Sequence, residues 1–306
     1  MQTSSVTLGT LIDRALYELE APAERGAPLV MGSDFLENTT DTQFTLSTGE
    51  LSVSDIAEFG SELVLVTAKS ADVDPIYTVS RGYYGTAKAV QAAGDLGSKN
   101  PQFARRRVAD AVDRALPRLE ALGVPMITSA TMSRTADLRQ LELPATCRQV
   151  LQVLYVNATS GRVLELEGWF QYDTVPTGVS STGKLLMLPW YVKNSDSLHL
   201  VYSTPYVWAT ASFPDETATL TLPIGAEELP STYAAAMMVA GREVSRQELD
   251  RSEEFSRTSN LQQNSGGALV RATWQNFYRT LDEVRRVVTF EVPTARPLRT
   301  RPKVRI

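Results

Sequence analysis

Glu165 and Glu167, in the stretch LELEG, stand two residues apart. On a strand that spacing puts both carboxylates on one face. Acid–base or nucleophilic work at a glycosidic bond uses such pairs, and Asp173 is a further acid nearby. Acids alternating with leucines are equally what any half-exposed strand carries. His199 lies between leucines in SLHLVY; a triad needs a nucleophile and an acid beside it, and the chain has no G-x-S-x-G. Cys147 precedes Arg148, a neighbour that can lower a thiol pKa, but a buried small hydrophobe is the plainer reading. Zinc needs several Cys or His ligands, and the chain has one of each. There is no G-x-x-x-x-G-K-[ST] and no G-x-G-x-x-G. In RGYYGT, residues 81–86, tyrosines fill the loop and no lysine follows in the phosphate-loop position. The expectation is a protein with no catalytic, cofactor or metal site, and not an enzyme.

Two groups of cations ask for another explanation. ARRR, residues 104–107, sets Arg105, Arg106 and Arg107 in the first turns of an expected helix. There they oppose the macrodipole, at roughly a few tenths of a kcal/mol per charge. That conflict points to a partner surface; a solvated face shared with Asp110 and Asp113 is the alternative. The second group is the tail: Arg296, Arg299, Arg301, Lys303 and Arg305, with no acid from 296 to 306. The net charge is −5, so residues 1–295 carry −10. An acidic body argues against a general nucleic-acid coat. An extended, proline-punctuated basic segment suits a neighbouring subunit, an exposed sheet edge or DNA phosphates. An arm reaching the next copy is the preferred use.

The elements that must carry these residues follow from periodicity. Hydrophobic residues make up 43%, enough to bury a core. Leu8, Leu11, Ile12, Ala15 and Leu19 predict an amphipathic helix over 7–21, with Thr7 as N-cap. TQFTLS (42–47), ELVLVT (62–67) and IYTVS (76–80) predict a small antiparallel sheet. Asn100-Pro101 predicts a helix start, and Pro117 a kink or stop. Five strands are expected over 148–157, 162–173, 184–192, 197–208 and 218–223, as a sandwich or open barrel. Helices follow over 231–252 and 268–288, then the extended tail. The fold class read from this is α+β: a helical bundle core with two β-rich insertions and an extended C-terminal arm. Residues 1–22, 100–125 and 226–290 would form the core, 23–99 and 126–225 the insertions, and 291–306 the arm. The N-terminus lacks the basic region and apolar run of a signal peptide. No apolar run approaches the roughly 20 residues of a membrane span. A soluble protein of a reducing compartment is expected.

The segment VSRGYYGTAKAVQAAGD (79–95), then NPQFARRRVADAVDRALPRLEALG, resembles head-to-tail adaptor (head-tail connector) proteins of long-tailed bacteriophages, the siphoviruses, of actinobacteria. In these a strand ends in an Arg-Gly-aromatic-x-Gly-Thr turn, followed by an alanine-rich run and an Asn-Pro helix. TLGTLIDRALYELEAP looks like their opening helix, so the resemblance covers residues 7–122. One departure is Gln91, where family members often have histidine. The resemblance implies a virion structural protein at the capsid–tail junction, assembled in the host cytoplasm. It implies a homo-oligomeric ring, usually of twelve copies, bound to the portal. The ring would extend the channel for packaged double-stranded DNA and seat a stopper or tail-completion protein, with no cofactor and no membrane. RGYYGT would then be an architectural turn. Arg81 would pair with an acid or carbonyl, Gly82 and Gly85 would free the backbone, Tyr83 and Tyr84 would pack on the sheet, and Thr86 belongs to the same turn. Two other readings stand beside this one. The first is a carbohydrate- or cell-surface-binding β-module of a phage tail using Trp169, Trp190 and Trp208. The second is a glycoside-type hydrolase using Glu165 or Asp173.

Overall fold

The computed structural model describes residues 3–19, 28–35, 42–132, 139–156, 162–189, 197–211, 213–253 and 265–291. Strand β1 (Thr3–Thr7) leads directly into helix α1 (Leu8–Leu19). Leu8, Leu11, Ile12, Ala15 and Leu19 of α1 are buried. Thr7 caps α1: its hydroxyl accepts the Thr10 amide at 3.2 Å.

Six strands then close into an antiparallel barrel: β2 (Pro28–Met31), β3 (Gln43–Thr48), β4 (Ile56–Phe59), β5 (Glu62–Lys69), β6 (Ile76–Ser80) and β7 (Leu96–Lys99). The order is β2-β3-β6-β5-β4-β7, and β7 pairs back onto β2. Phe35, Phe44, Phe59 and Tyr77 fill the interior with Leu29, Met31, Val64 and Val66. Phe44 meets Phe35, Phe59 and Tyr77 with ring centroids 5.4 to 5.7 Å apart. Closure removes the free edges of what the sequence suggested was a small sheet.

Helix α2 (Arg105–Ala121) follows. It starts later than Asn100-Pro101 suggests. Asn100 has φ 47, accepts the Ile56 amide at 2.8 Å and donates to Asp55 at 2.8 Å, so its side chain closes the barrel instead of capping a helix. Pro117 lies inside α2 on its exposed face and does not end it.

Two sheets come next. One has the order β11-β10-β14-β8: β8 (Met126–Met132), β10 (Gln149–Val156), β11 (Val163–Glu165) and β14 (Ser197–Thr204). The other has the order β12-β13-β9: β9 (Gln140–Glu142), β12 (Phe170–Tyr172) and β13 (Leu185–Met187). They share one core, with Val150, Val153, Leu198 and Leu200 meeting Leu141, Leu186 and Leu188. The single strand expected over 162–173 is two strands in different sheets. Gly168, at φ 80, turns the chain between them. Finally β15 (Trp208–Ala209) and β16 (Thr219–Pro223) join β1 in a third sheet, β1-β16-β15, followed by α3 (Leu229–Glu253) and α4 (Ser265–Glu291).

The expected helical bundle core is overturned. Among the described residues sixteen strands stand beside four α-helices, and the strands make a barrel and several sheets. Helices α1, α2 and α3 do pack together, but strand residues Val6, Leu220 and Leu222 complete their core. The barrel and the paired sheets bury apolar clusters of their own. A helix announces itself within a few turns of sequence. Strands 4 to 8 residues long acquire their weight only through distant pairings, so local periodicity overstates the helices.

Candidate functional site

The turn RGYYGT leaves β6 and is fixed by a carboxylate from the neighbouring strand. Glu62, the first residue of β5, accepts Arg81 Nε at 2.9 Å and Arg81 Nη2 at 2.7 Å. It also accepts the amides of Gly82 at 3.2 Å and Ala89 at 2.9 Å. Arg81 Nη2 donates to the Ala89 carbonyl, and its guanidinium carbon lies 3.9 Å from the centre of the Phe35 ring. Both side chains are buried, 2% and 1% exposed. Thr86 accepts the Leu63 amide at 3.0 Å and donates to the Tyr83 carbonyl at 3.0 Å. Gly82 has φ 66, and a Cβ there would meet the Thr86 carbonyl oxygen at 2.9 Å; Gly85 has φ 74 and open space around it. The donors that could cradle a phosphate point at a carboxylate of the same chain, which fills the anion position.

The tyrosines depart from expectation. Tyr83 and Tyr84 form a 3-10 turn with Gly85 and contact each other at 4.4 Å between ring centres. Tyr84 has φ 54 and is 63% exposed, standing off the sheet instead of packing on it. Its ring lies 5.3 Å from the Arg107 guanidinium, which ties the turn to α2.

Arg105 and Arg106, at the start of α2, have partners within the chain, while Arg107 is exposed. Ala104, the N-cap residue, has no capping side chain, and Glu58 of β4 supplies one: its carboxylate accepts the Arg105 amide at 2.6 Å. A buried carboxylate at a helix N-terminus offsets the cations placed there. Arg105 donates to Glu216 at 2.9 and 2.7 Å and to Asp13 at 2.6 Å. Glu216 first, then Asp13, hold its guanidinium pKa above the usual arginine value. Arg106 reaches Asp110 at 3.4 Å and lies 5.5 Å from the Phe213 ring. Arg296, Arg299, Arg301, Lys303 and Arg305 lie outside the described residues.

The other candidates are scattered. Glu165 ends β11 and Glu167 lies beyond it; both are exposed, with buried Leu166 between. Asp173 accepts the Gln171 amide group at 2.5 Å. His199 Nδ1 meets the Thr131 hydroxyl at 2.9 Å on the adjacent strand. Cys147 is buried, and burial pushes its thiol pKa up, away from a reactive thiolate. Trp208 is held against the helical cluster, with its indole N–H on Asp113 at 2.8 Å and its ring on Phe213. Trp169 packs on the core of the two sheets, and Trp190 lies outside the described residues. Among the described residues no three His, Cys, Asp or Glu side chains gather as a metal would need. No helix among them is long and apolar enough to cross a membrane.

Sequence reasoning missed Glu58, Glu62 and Glu216. Glu62 carried a signal: it opens an otherwise wholly apolar run, ELVLV, where an acid needs a cation. It also missed a groove of about 470 Å³ between α1 and the start of α3, lined by Thr10, Asp13, Arg14, Tyr17, Glu18, Glu228 and Ser231. Burial, and then the charge of Glu228, raise the Glu18 carboxyl above the usual carboxylate range.

No protein-family model matches the chain, and no curated protein does. Among solved structures the chain is similar to a component of the neck of an empty GTA particle computed with C6 symmetry. The identity is 13%, over 54% of this chain and 75% of that one, and the TM-score is 0.20. A likeness at that score carries no argument about fold or role.

Proposed function

We propose that this chain is a non-enzymatic structural protein of a bacteriophage particle, a head-to-tail adaptor at the capsid–tail junction. Copies close into a ring below the portal, of twelve subunits by the family resemblance of residues 7–122, and extend the DNA channel towards a stopper or tail-completion protein. The observation that carries the reading is the RGYYGT turn. The stretch that most resembles adaptor proteins turns its donors inward, onto Glu62, where they join strands β5 and β6 instead of meeting a ligand. Arg105 supports the same reading at a larger scale, since it links α1, α2 and the segment before β16. An acidic body of charge −10 over residues 1–295 suits a channel through which like-charged DNA slides. Electron microscopy of the purified protein, and of particles carrying it, tests the proposal. The expected result is a ring on the channel axis. A solitary copy in the particle, or a glycan-binding monomer, would overturn it.

A further inference from the structure

The barrel carries two unlike surfaces at the two ends of its β5–β6 hairpin. At one end the RGYYGT turn sets Tyr84 63% exposed, at φ 54. Glycine or asparagine is the ordinary occupant of such a left-handed position, so a bulky exposed ring there is an outlier that asks for a contact. Cations stand around it. Arg107 lies 5.3 Å from the ring, and Lys88 lies against Gly82, where an added Cβ would meet its Cγ at 3.8 Å. Neither cation makes an ion pair with another described residue, and Asp110, one turn along α2, is taken by Arg106. Val90, 58% exposed, follows Ala89, whose amide is held by Glu62.

The other end is the loop that joins β5 to β6, residues 70–75. Val73 at its tip is 100% exposed, more than any other large apolar side chain among the described residues. Asp72 and Asp74 flank it, both exposed and neither in an ion pair with a described residue. Lys69, the nearest cation along the chain, is engaged by Glu50 at 2.5 Å. Tip and turn are separated by the length of β5, roughly 25 Å for its eight residues. Two different patches at opposite ends of one closed barrel are what head-to-tail association of identical copies requires. Their chemistry is complementary: two carboxylates around a branched apolar side chain face two cations around an exposed ring.

We propose that the Asp72-Val73-Asp74 tip of one copy docks on the turn surface of the next, with Val73 against the Tyr84 ring and the two aspartates on Lys88 and Arg107. The inference rests on the ring reading above and names its contact. Two full-length variants test it, Ala71→Cys and Ala87→Cys, mixed and oxidised with copper phenanthroline. Both positions are exposed, and the native Cys147 is buried. Peptide mass spectrometry then reads the inter-chain disulfide between positions 71 and 87. That link is expected in the mixture. Adding Asp72→Arg and Asp74→Arg to the tip variant should reduce it at least tenfold, and adding Lys88→Glu and Arg107→Glu to the turn variant should then restore it. Circular dichroism checks that these surface variants keep the fold. No link, a link indifferent to the first charge reversal, or a loss that the second leaves unrepaired overturns the proposal. Micrographs of the unoxidised protein separate the two failures. Rings without the link sink this contact alone, the link without rings keeps the contact and sinks the ring, and the absence of both sinks both.

Discussion

Arg81 and Glu62 are a buried pair whose desolvation is offset only by complete local geometry: two charge-assisted bonds between them, and two backbone amides on the same carboxylate. One nitrogen, Arg81 Nη1, is buried with no hydrogen-bond partner, and the Phe35 ring beside the guanidinium is what it has in place of one. Removing one member leaves the other charged and dry. Glu62→Gln is therefore expected to cost about 3–5 kcal/mol, read from urea denaturation. Replacing both, as Arg81→Met with Glu62→Leu, should recover a large part of that loss. A single-variant loss under about 1 kcal/mol, the range of an exposed pair, would show that the turn is not held this way. The sequence reading left Arg81 to an acid or a carbonyl, and in the structure it meets one of each, Glu62 and the Ala89 carbonyl. Neither partner was legible beforehand, and Glu62 and Arg81 meet only through the register of β5 and β6.

At the scale of elements, joints are made by side chains reaching between them. Glu58 of the barrel caps α2, so the start of that helix is fixed by a strand and not by its own N-cap residue. Glu142, at the end of β9, organises the loop before β13 in a similar way. The Ser181 hydroxyl, with the Thr182 amide and the Ser180 hydroxyl, holds its carboxyl down at about 2. A lowered folded pKa stabilises the loop fully above the unfolded value, near 4.3, and that contribution is lost as pH falls towards about 2. The Thr182 amide resonance should titrate with a midpoint near 2, and Glu142→Gln should abolish the transition. A midpoint at an ordinary glutamate value would show that these bonds do not form in solution.

Over the whole molecule, one short strand holds distant parts together. Strand β1 pairs with β16 from Thr3↔Pro223 to Thr7↔Thr219, and the Leu8 amide continues the contact to the Ala218 carbonyl at 2.8 Å. Val6 enters the cluster formed by α1, α2 and α3. Removing residues 1–7 should therefore lower the urea midpoint of the protein and leave β16 with an open edge. Concentration-dependent aggregation would report that edge. A truncated chain with the parent's midpoint and no aggregation would mean that β1 is ornamental. Nothing in TSSVT signals this strand's importance, since Val6 is its sole large apolar side chain.

What the sequence determined by itself was local: the buried stripe and N-cap of α1, the approximate places of α3 and α4, and most of the longer strands. Helical periodicity and capping chemistry act within a few residues, so one segment suffices to read them. What only the tertiary structure decided was non-local. The closing of the barrel through β7 and β2, the split of 162–173 between two sheets, the cap lent to α2 by Glu58, and the engagement of Arg105 by Asp13 and Glu216 all join residues far apart in the chain. Strand pairing and buried charge obey the partner they meet, and that partner is set by the path of the chain through space.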